Sequence, residues 1–275
     1  PFLHDHQIDG TPVLPGVMGV EAFAQVASLL CPDLSVATVE QVEFQLPFKF
    51  FRMQPATLRL IATGHAAPDG QVLVDVGLWS ILAPRPDVPP QRRLHFPGRV
   101  RMTSGPLTRP AIAPGDRGPG GAIVGREAIY RRYFHGPAYQ VLDQVWLDDR
   151  RAAGLMVHGL PPDTSPEDVA SLMAPRLIEC CFQTAGILQI ARDATLGLPT
   201  AFGAVRVYRR PGEADGERLR ALIVRRDGDP PVYDARVVDD RGRVYVELEG
   251  YRTVALPDPV SLDGFAAGGS AGAGA

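Results

Sequence analysis

With 275 residues, 45% of them hydrophobic, the chain is long enough for one large domain or two small ones, each with a real core. A net charge of −3 gives no electrostatic case for binding nucleic acid or an anionic membrane surface, and no apolar run reaches the roughly 20 residues that a membrane span needs. The three cysteines, Cys31 and the adjacent Cys180 and Cys181, form no disulfide framework and fit a reducing cytoplasm; no Cys/His cluster has zinc spacing, so no metal is expected. No signal peptide is evident, and the start at Pro1 without a methionine reads as a piece of a longer polypeptide.

The first informative stretch runs from His6 to Gly16. A histidine ends an extended run, Gly10 follows four residues later, and Pro15 stands five after that, where a helix begins. An imidazole can take up a proton near neutral pH. Gly10 lets backbone approach a ligand closely. Pro15 suits a first helical turn, whose free N–H groups can hold a developing negative charge. Base, tight turn and helix N-terminus together suit enolate chemistry beside a thioester carbonyl.

A helix is expected over 16–31, because Val17, Val20, Phe23, Ala24, Ala27 and Leu30 recur at helical spacing before Pro32 and Asp33. Strands are expected near 40–48, 56–66, 71–83 and 92–103, separated by turn words such as Pro68-Asp69-Gly70. One long helix followed by antiparallel strands is an α+β pattern, a sheet wrapped around a central helix. Residues 104–125, rich in Pro and Gly, read as a linker. The pattern then returns, with a short helix at 127–133, strands near 140–149 and 152–159, a long helix over 174–194, and strands near 201–209, 217–227, 232–239 and 243–255. The division is therefore an N-terminal half at 1–103, the linker at 104–125, a C-terminal half at 126–256 and a flexible Gly/Ala-rich tail at 257–275.

On the second long helix, Leu177, Ile178, Cys181, Phe182, Ala185 and Leu188 mark an apolar side. Glu179 and Gln183 stand four apart and share one face. Desolvation there is expected to raise the Glu179 carboxyl toward the range where it donates a proton, with Gln183 orienting it. Alone, His6 would read as a polar loop residue and Glu179 as a solvent-edge residue. Cys180 and Cys181 read as packing, and His65, His95 and His158 as structural.

The His6, Gly10 and Pro15 spacing resembles the HxxxGxxxxP motif of dehydratase domains in polyketide and polyunsaturated fatty acid synthases. The flanking words Pro1-Phe2-Leu3-His4-Asp5-His6 and Pro15-Gly16-Val17-Met18-Gly19-Val20-Glu21 look most like the iterative enediyne and polyunsaturated fatty acid type. Glu179 and Gln183 resemble the family's second motif, an acid followed four residues later by Gln or His; many modular dehydratases carry aspartate where this chain has Glu179. Tyr133-Phe134-His135-Gly136-Pro137-Ala138-Tyr139-Gln140 resembles the YGPxF word, with His135 in the tyrosine position and Tyr139 in that of phenylalanine; its aromatics are expected to wall an acyl chain.

The resemblance implies a double hotdog fold, two helix-in-sheet halves side by side. It implies dehydration of 3-hydroxyacyl thioesters, carried on an acyl carrier protein, to trans-2-enoyl thioesters. His6 would be the base, Glu179 the acid and Gln183 its support. Backbone N–H groups at Gly10 or Gly16 would steady the enolate-like oxygen, and Pro15, His135, Gly136, Pro137 and Tyr139 would line the substrate tunnel. It implies no cofactor beyond the carrier's phosphopantetheine, and as partners the carrier protein, other domains of the same synthase and a second copy in a homodimer. An enoyl isomerase or cyclase on the same fold stays open, as does a non-catalytic acyl-binding domain.

Overall fold

A short hairpin opens the chain, β1 (Gln7–Ile8) against β2 (Thr11–Pro12). Asp9 and Gly10 turn it, at φ 50° and 71°. Two successive positive φ values define a type I′ turn, and this is why a glycine stands there. Helix α1 (Gly16–Leu30) follows and buries Val17, Val20, Phe23, Ala24 and Ala27 along one stripe. Strands β3 (Ser35–Glu43), β4 (Leu58–Ala66), β5 (Val72–Leu82) and β6 (Gln91–Thr103) come next. The second run comprises β7 (Ala122–Gly125), α2 (Arg126–Tyr130), β8 (Leu142–Leu147), β9 (Arg151–Met156), α3 (Pro175–Asp193), β10 (Thr195–Val207), β11 (Leu219–Arg226), β12 (Val232–Asp239) and β13 (Val244–Pro259).

This computed structural model describes residues 2–67, 70–82, 89–110, 116–167 and 170–259. Pro68 and Asp69 of the expected turn, residues 111–115 of the expected linker, and the tail from 260 onward lie outside the described residues.

Eleven strands form one antiparallel sheet in the order β4-β5-β6-β3-β10-β13-β12-β11-β9-β8-β7. Strands β3 and β10 join the two runs, in register from Glu43 opposite Ala201 to Val39 opposite Val205. Helix α1 packs against β3 to β6, and α3 against β8 to β13. The fold is the α+β double hotdog. Every side chain of α3 from Leu177 to Ile190 is buried. That exceeds the one apolar side expected, and its polar members must find partners inside the protein.

The start of α3 is held from α1. Glu21, buried, accepts the N–H of Leu172 at 2.9 Å and of Met173 at 2.7 Å. Ala174 then turns the chain in the left-handed region, at φ 46°, and Pro175 opens the helix. No side chain caps this helix start, so the Glu21 clamp fixes where it begins.

Four boundaries depart from the sequence reading. The tail expected to begin at 257 starts later, because β13 runs to Pro259, which pairs with Thr195 of β10. The linker expected at 104–125 ends in strand β7, where Val124 is buried and Ile123 is exposed beside β8. The strand expected at 40–48 lies at Ser35–Glu43. The apolar run after it crosses to the join between the halves, where the Phe44 N–H donates to Thr200 O at 2.7 Å. Strand β10 starts at Thr195, earlier than expected, because register shifts let it pass Gly197 and Pro199.

Candidate active site

The hairpin, the loop after α2, and α3 bring His6, His135 and Glu179 together. His6 and His135 form an antiparallel bridge. The Gly136 N–H donates to Asp5 O at 2.8 Å, and the Asp5 carboxylate accepts the Ala138 N–H at 2.9 Å. A side chain at Gly136 would run into Asp5, so the glycine is what lets the two segments touch.

His6 is buried, with Nδ1 2.8 Å from Val13 O. A carbonyl only accepts, so Nδ1 carries the proton of the neutral ring and Nε2 keeps its lone pair. Burial lowers His6 to about 4, and the charge of His135 adds to this, against the opposing pull of Glu179. The ring is therefore neutral at physiological pH.

Glu179 is buried, and its Oε1 accepts the Gln183 amide at 2.9 Å and lies 3.2 Å from His135 Nε2. Burial alone would raise its carboxyl, as the sequence reading expected. The His135 hydrogen bond, the charges of His135 and His6, and the Gln183 amide outweigh it, and the carboxyl sits below its ordinary value. This corrects that expectation: a neighbour 44 residues away decides the sign.

Gln183 is held on all sides. Its Oε1 accepts the Tyr130 hydroxyl at 2.9 Å, and its Nε2 donates to Tyr139 O and to Glu179, both at 2.9 Å. Both amide hydrogens are thus committed, which fixes the orientation of the amide. The Tyr133 hydroxyl adds a bond to Gln183 O at 2.7 Å.

A cavity of about 370 Å³ opens beside these groups. His6, His135, Glu179 and Gln183 form its polar wall, with Tyr133 and Phe134. Phe44, Phe96, Phe182, Tyr251 and the start of β10, Leu196 to Thr200, line the rest. Gly16 also lines it, and a Cβ there would come within 2.8 Å of the Phe44 ring. This is a mostly apolar pocket with a few convergent polar groups, the form that suits an acyl chain with one reacting end.

Other expected residues lie elsewhere. Gly10 is exposed at the hairpin turn and does not line the cavity, so the structure contradicts its role as a backbone donor; its conformation serves the turn. Pro15 is buried just ahead of α1, its carbonyl accepting the Met18 N–H at 3.0 Å. Gly136, Pro137 and Tyr139 stand behind His135 and not on the cavity wall. Tyr139 is fully buried, its ring centroid 6.1 Å from that of His6. Tyr133 and Phe134, which stand in the same word as His135, both line the cavity; Tyr130, which holds Gln183, is the site residue that sequence reasoning missed, and Asp5 was read only as a loop-turning residue. Burial raises the Cys180 thiol to about 12, so it stays protonated and packs as an inert group. Among the described residues, no group of three or more His, Cys, Asp or Glu side chains could hold a metal ion, and no helix is long and apolar enough to cross a membrane.

The family model for the polyketide synthase dehydratase N-terminal domain matches residues 125–263, half of the chain, and that for the polyketide synthase dehydratase domain matches residues 1–76. The chain belongs to the polyketide synthase dehydratase domains. Such domains are hydro-lyases acting on 3-hydroxyacyl intermediates. This dehydratase domain is 24% identical to Polyketide synthase ThaG of Burkholderia thailandensis over 276 residues, 91% of this chain and 4% of that protein. Its structure resembles the dehydratase domain of the CurF module of curacin polyketide synthase, with TM-score 0.74 and 19% identity, covering 93% of this chain and 89% of that one. It also resembles a trans-AT dehydratase domain from Brevibacillus brevis, with TM-score 0.71 and 18% identity, covering 93% and 90%. A third is the dehydratase domain of a mycocerosic acid synthase-like polyketide synthase, with TM-score 0.69 and 19% identity, covering 92% and 85%.

Proposed function

We propose that this domain dehydrates a 3-hydroxyacyl thioester, carried on the phosphopantetheine arm of an acyl carrier protein, to the trans-2-enoyl thioester. The observation that carries the reading is one imidazole with a free Nε2 and one buried carboxyl, from different halves, on the wall of one apolar cavity. His6 Nε2 takes the proton from the carbon next to the thioester carbonyl. Glu179, ionised at rest because its carboxyl sits below its ordinary value, takes up a proton before the reaction and gives it to the hydroxyl on the next carbon, which leaves as water. Gln183 holds Glu179, since both its amide hydrogens are already bonded. The N–H of Gly16, at the start of α1 and on the cavity wall, steadies the enolate-like oxygen.

The two halves, residues 1–103 and 126–256, act as one catalytic unit in this reading, because neither carries both proton-transfer groups. The step needs no metal or redox cofactor. It takes place in the cytoplasm, beside other domains of an iterative-type synthase and in a homodimer. The test is the mass of a 3-hydroxyacyl carrier protein, or its pantetheine mimic, incubated with the protein. Loss of one water by the wild type but not by Glu179→Gln is expected. An unchanged mass at every chain length, with no hydration of the enoyl product either, overturns the reading. A moved double bond or a new ring without loss of water would assign an isomerase or cyclase instead.

A further inference from the structure

His135 replaces the tyrosine of the word that its segment resembles, and the structure shows what the imidazole touches. Its Nε2 lies 3.2 Å from Glu179 Oε1, and both side chains are buried. Its ring stacks on Phe134 at 4.4 Å between centroids, and its backbone is bridged to His6. Nδ1 is buried with no hydrogen-bond partner. Gln183 Nε2 donates to the same carboxylate oxygen, so Oε1 lies within 3.2 Å of two side-chain nitrogens while Oε2 accepts no hydrogen bond among the described residues.

We propose that His135 is a positioning residue for the acid: its Nε2–H, with the Gln183 amide, holds Glu179 Oε1, leaves Oε2 as the oxygen that delivers the proton, and stabilises the carboxylate left behind. This rests on the reading of Glu179 as the acid. In the elimination, the bond from carbon 2 to hydrogen breaks and its proton goes to His6 Nε2. The bond from carbon 3 to oxygen breaks, and the leaving oxygen takes the proton of Glu179 Oε2 and departs as water. Negative charge appears on Glu179 as positive charge appears on His6, so the site gains no net charge. Two donors already aimed at Oε1 meet that charge without rearrangement, which is where preorganised donors contribute most.

The ionisable groups around His135 are Asp5 and His6 on the hairpin side, Tyr133 and Tyr139 in its own segment, and Glu179 from α3. Only Glu179 both contacts Nε2 and transfers a proton in this scheme. Removing the His135 N–H takes support from the carboxylate form of Glu179. The carboxyl then holds its proton to higher pH while becoming a poorer donor.

The test is turnover of a 3-hydroxyacyl pantetheine substrate by the full 275-residue chain, wild type against His135→Phe and His135→Tyr. For His135→Phe the expected result is a fall in kcat of about 10²-fold, the usual scale for loss of one preorganised donor, with KM little changed. The alkaline limb of its pH profile should move to higher pH. His135→Tyr, which keeps a donor hydroxyl, should recover part of kcat. A wild-type kcat in His135→Phe, or a lower kcat with the alkaline limb unmoved, overturns the proposal. Should His135→Phe fail to fold, nitrogen NMR of the histidine-labelled wild type decides. His135 is expected to be protonated at Nε2, and a bare Nε2 overturns the proposal. Glu179→Gln separates the two levels. Full activity in Glu179→Gln would overturn the reading of the acid itself, whereas an inactive Glu179→Gln beside an unaffected His135→Phe overturns only the role of His135.

Discussion

The two ends of α3 both carry ionisable groups, and they do opposite things. Near its N-terminal end, Glu179 is buried between His135 and Gln183 beside an apolar cavity. At its C-terminal end, Arg192 meets Asp149 at 2.7 Å, Arg225 meets Asp193 at 3.0 Å, and Arg150 meets Asp227 at 2.9 Å across an open polar hollow. Asp149 and Asp227 are 87% and 88% exposed. Water screens the Arg192–Asp149 and Arg150–Asp227 pairs, and such surface bridges contribute about 0–1 kcal/mol. Out of water, each contact at Glu179 sets a protonation state. Function therefore follows burial of the side chains and not charge density, since the other end has more charges and no reacting geometry.

Substitutions at the buried end break this contrast most sharply. His6→Ala should lower turnover by about 10²–10⁴-fold, the range for loss of a positioned base, while the protein stays folded by circular dichroism. Gly136→Ala should be nearly as severe. Its methyl would push the segment away from Asp5, part His135 from His6 and cost about 1–3 kcal/mol of overpacking. A urea melt and a turnover assay together would show both effects.

Glu21→Ala acts from α1 on the start of α3. It orphans the N–H groups of Leu172 and Met173, and each buried unpaired donor costs about 1–3 kcal/mol. The expected result is a lower urea midpoint together with slower turnover. Stability should also fall with acidification. His6 is held near 4 in the folded protein against its ordinary 6.5, so the unfolded chain binds the extra proton between those values. Stability is fully present above pH 6.5 and declines as pH falls toward 4. Urea midpoints across that interval should fall more for the wild type than for His6→Phe. The smallest effect is expected at the open end. Arg192→Ala should leave turnover unchanged and shift stability by no more than about 1 kcal/mol.

Much of this was legible in the sequence, for physical reasons. The two long helices show themselves by apolar spacing bounded by proline, and α1 and α3 lie within a residue of their expected limits. The pairing of Glu179 with Gln183 follows from i, i+4 geometry alone. Contacts made by the fold were hidden. Nothing local says that His135 reaches Glu179, that Asp5 holds Ala138, or that Glu21 clamps Leu172, because each pair is remote in the chain. The same limit misdirected the Glu179 protonation, which burial alone would have raised. Gly10 failed differently. Its residue type was read for close approach to a ligand, and the structure uses the same freedom for a turn.

The central claim is that His6 from one half and Glu179 from the other act as a single unit. Single-turnover dehydration by His6→Ala, Glu179→Gln and the double variant tests it most directly. Each single variant should be almost inactive, and the double variant should be no slower than the worse single one, because losses within one unit do not add. Near wild-type rates in either single variant, or losses that multiply in the double, would contradict it.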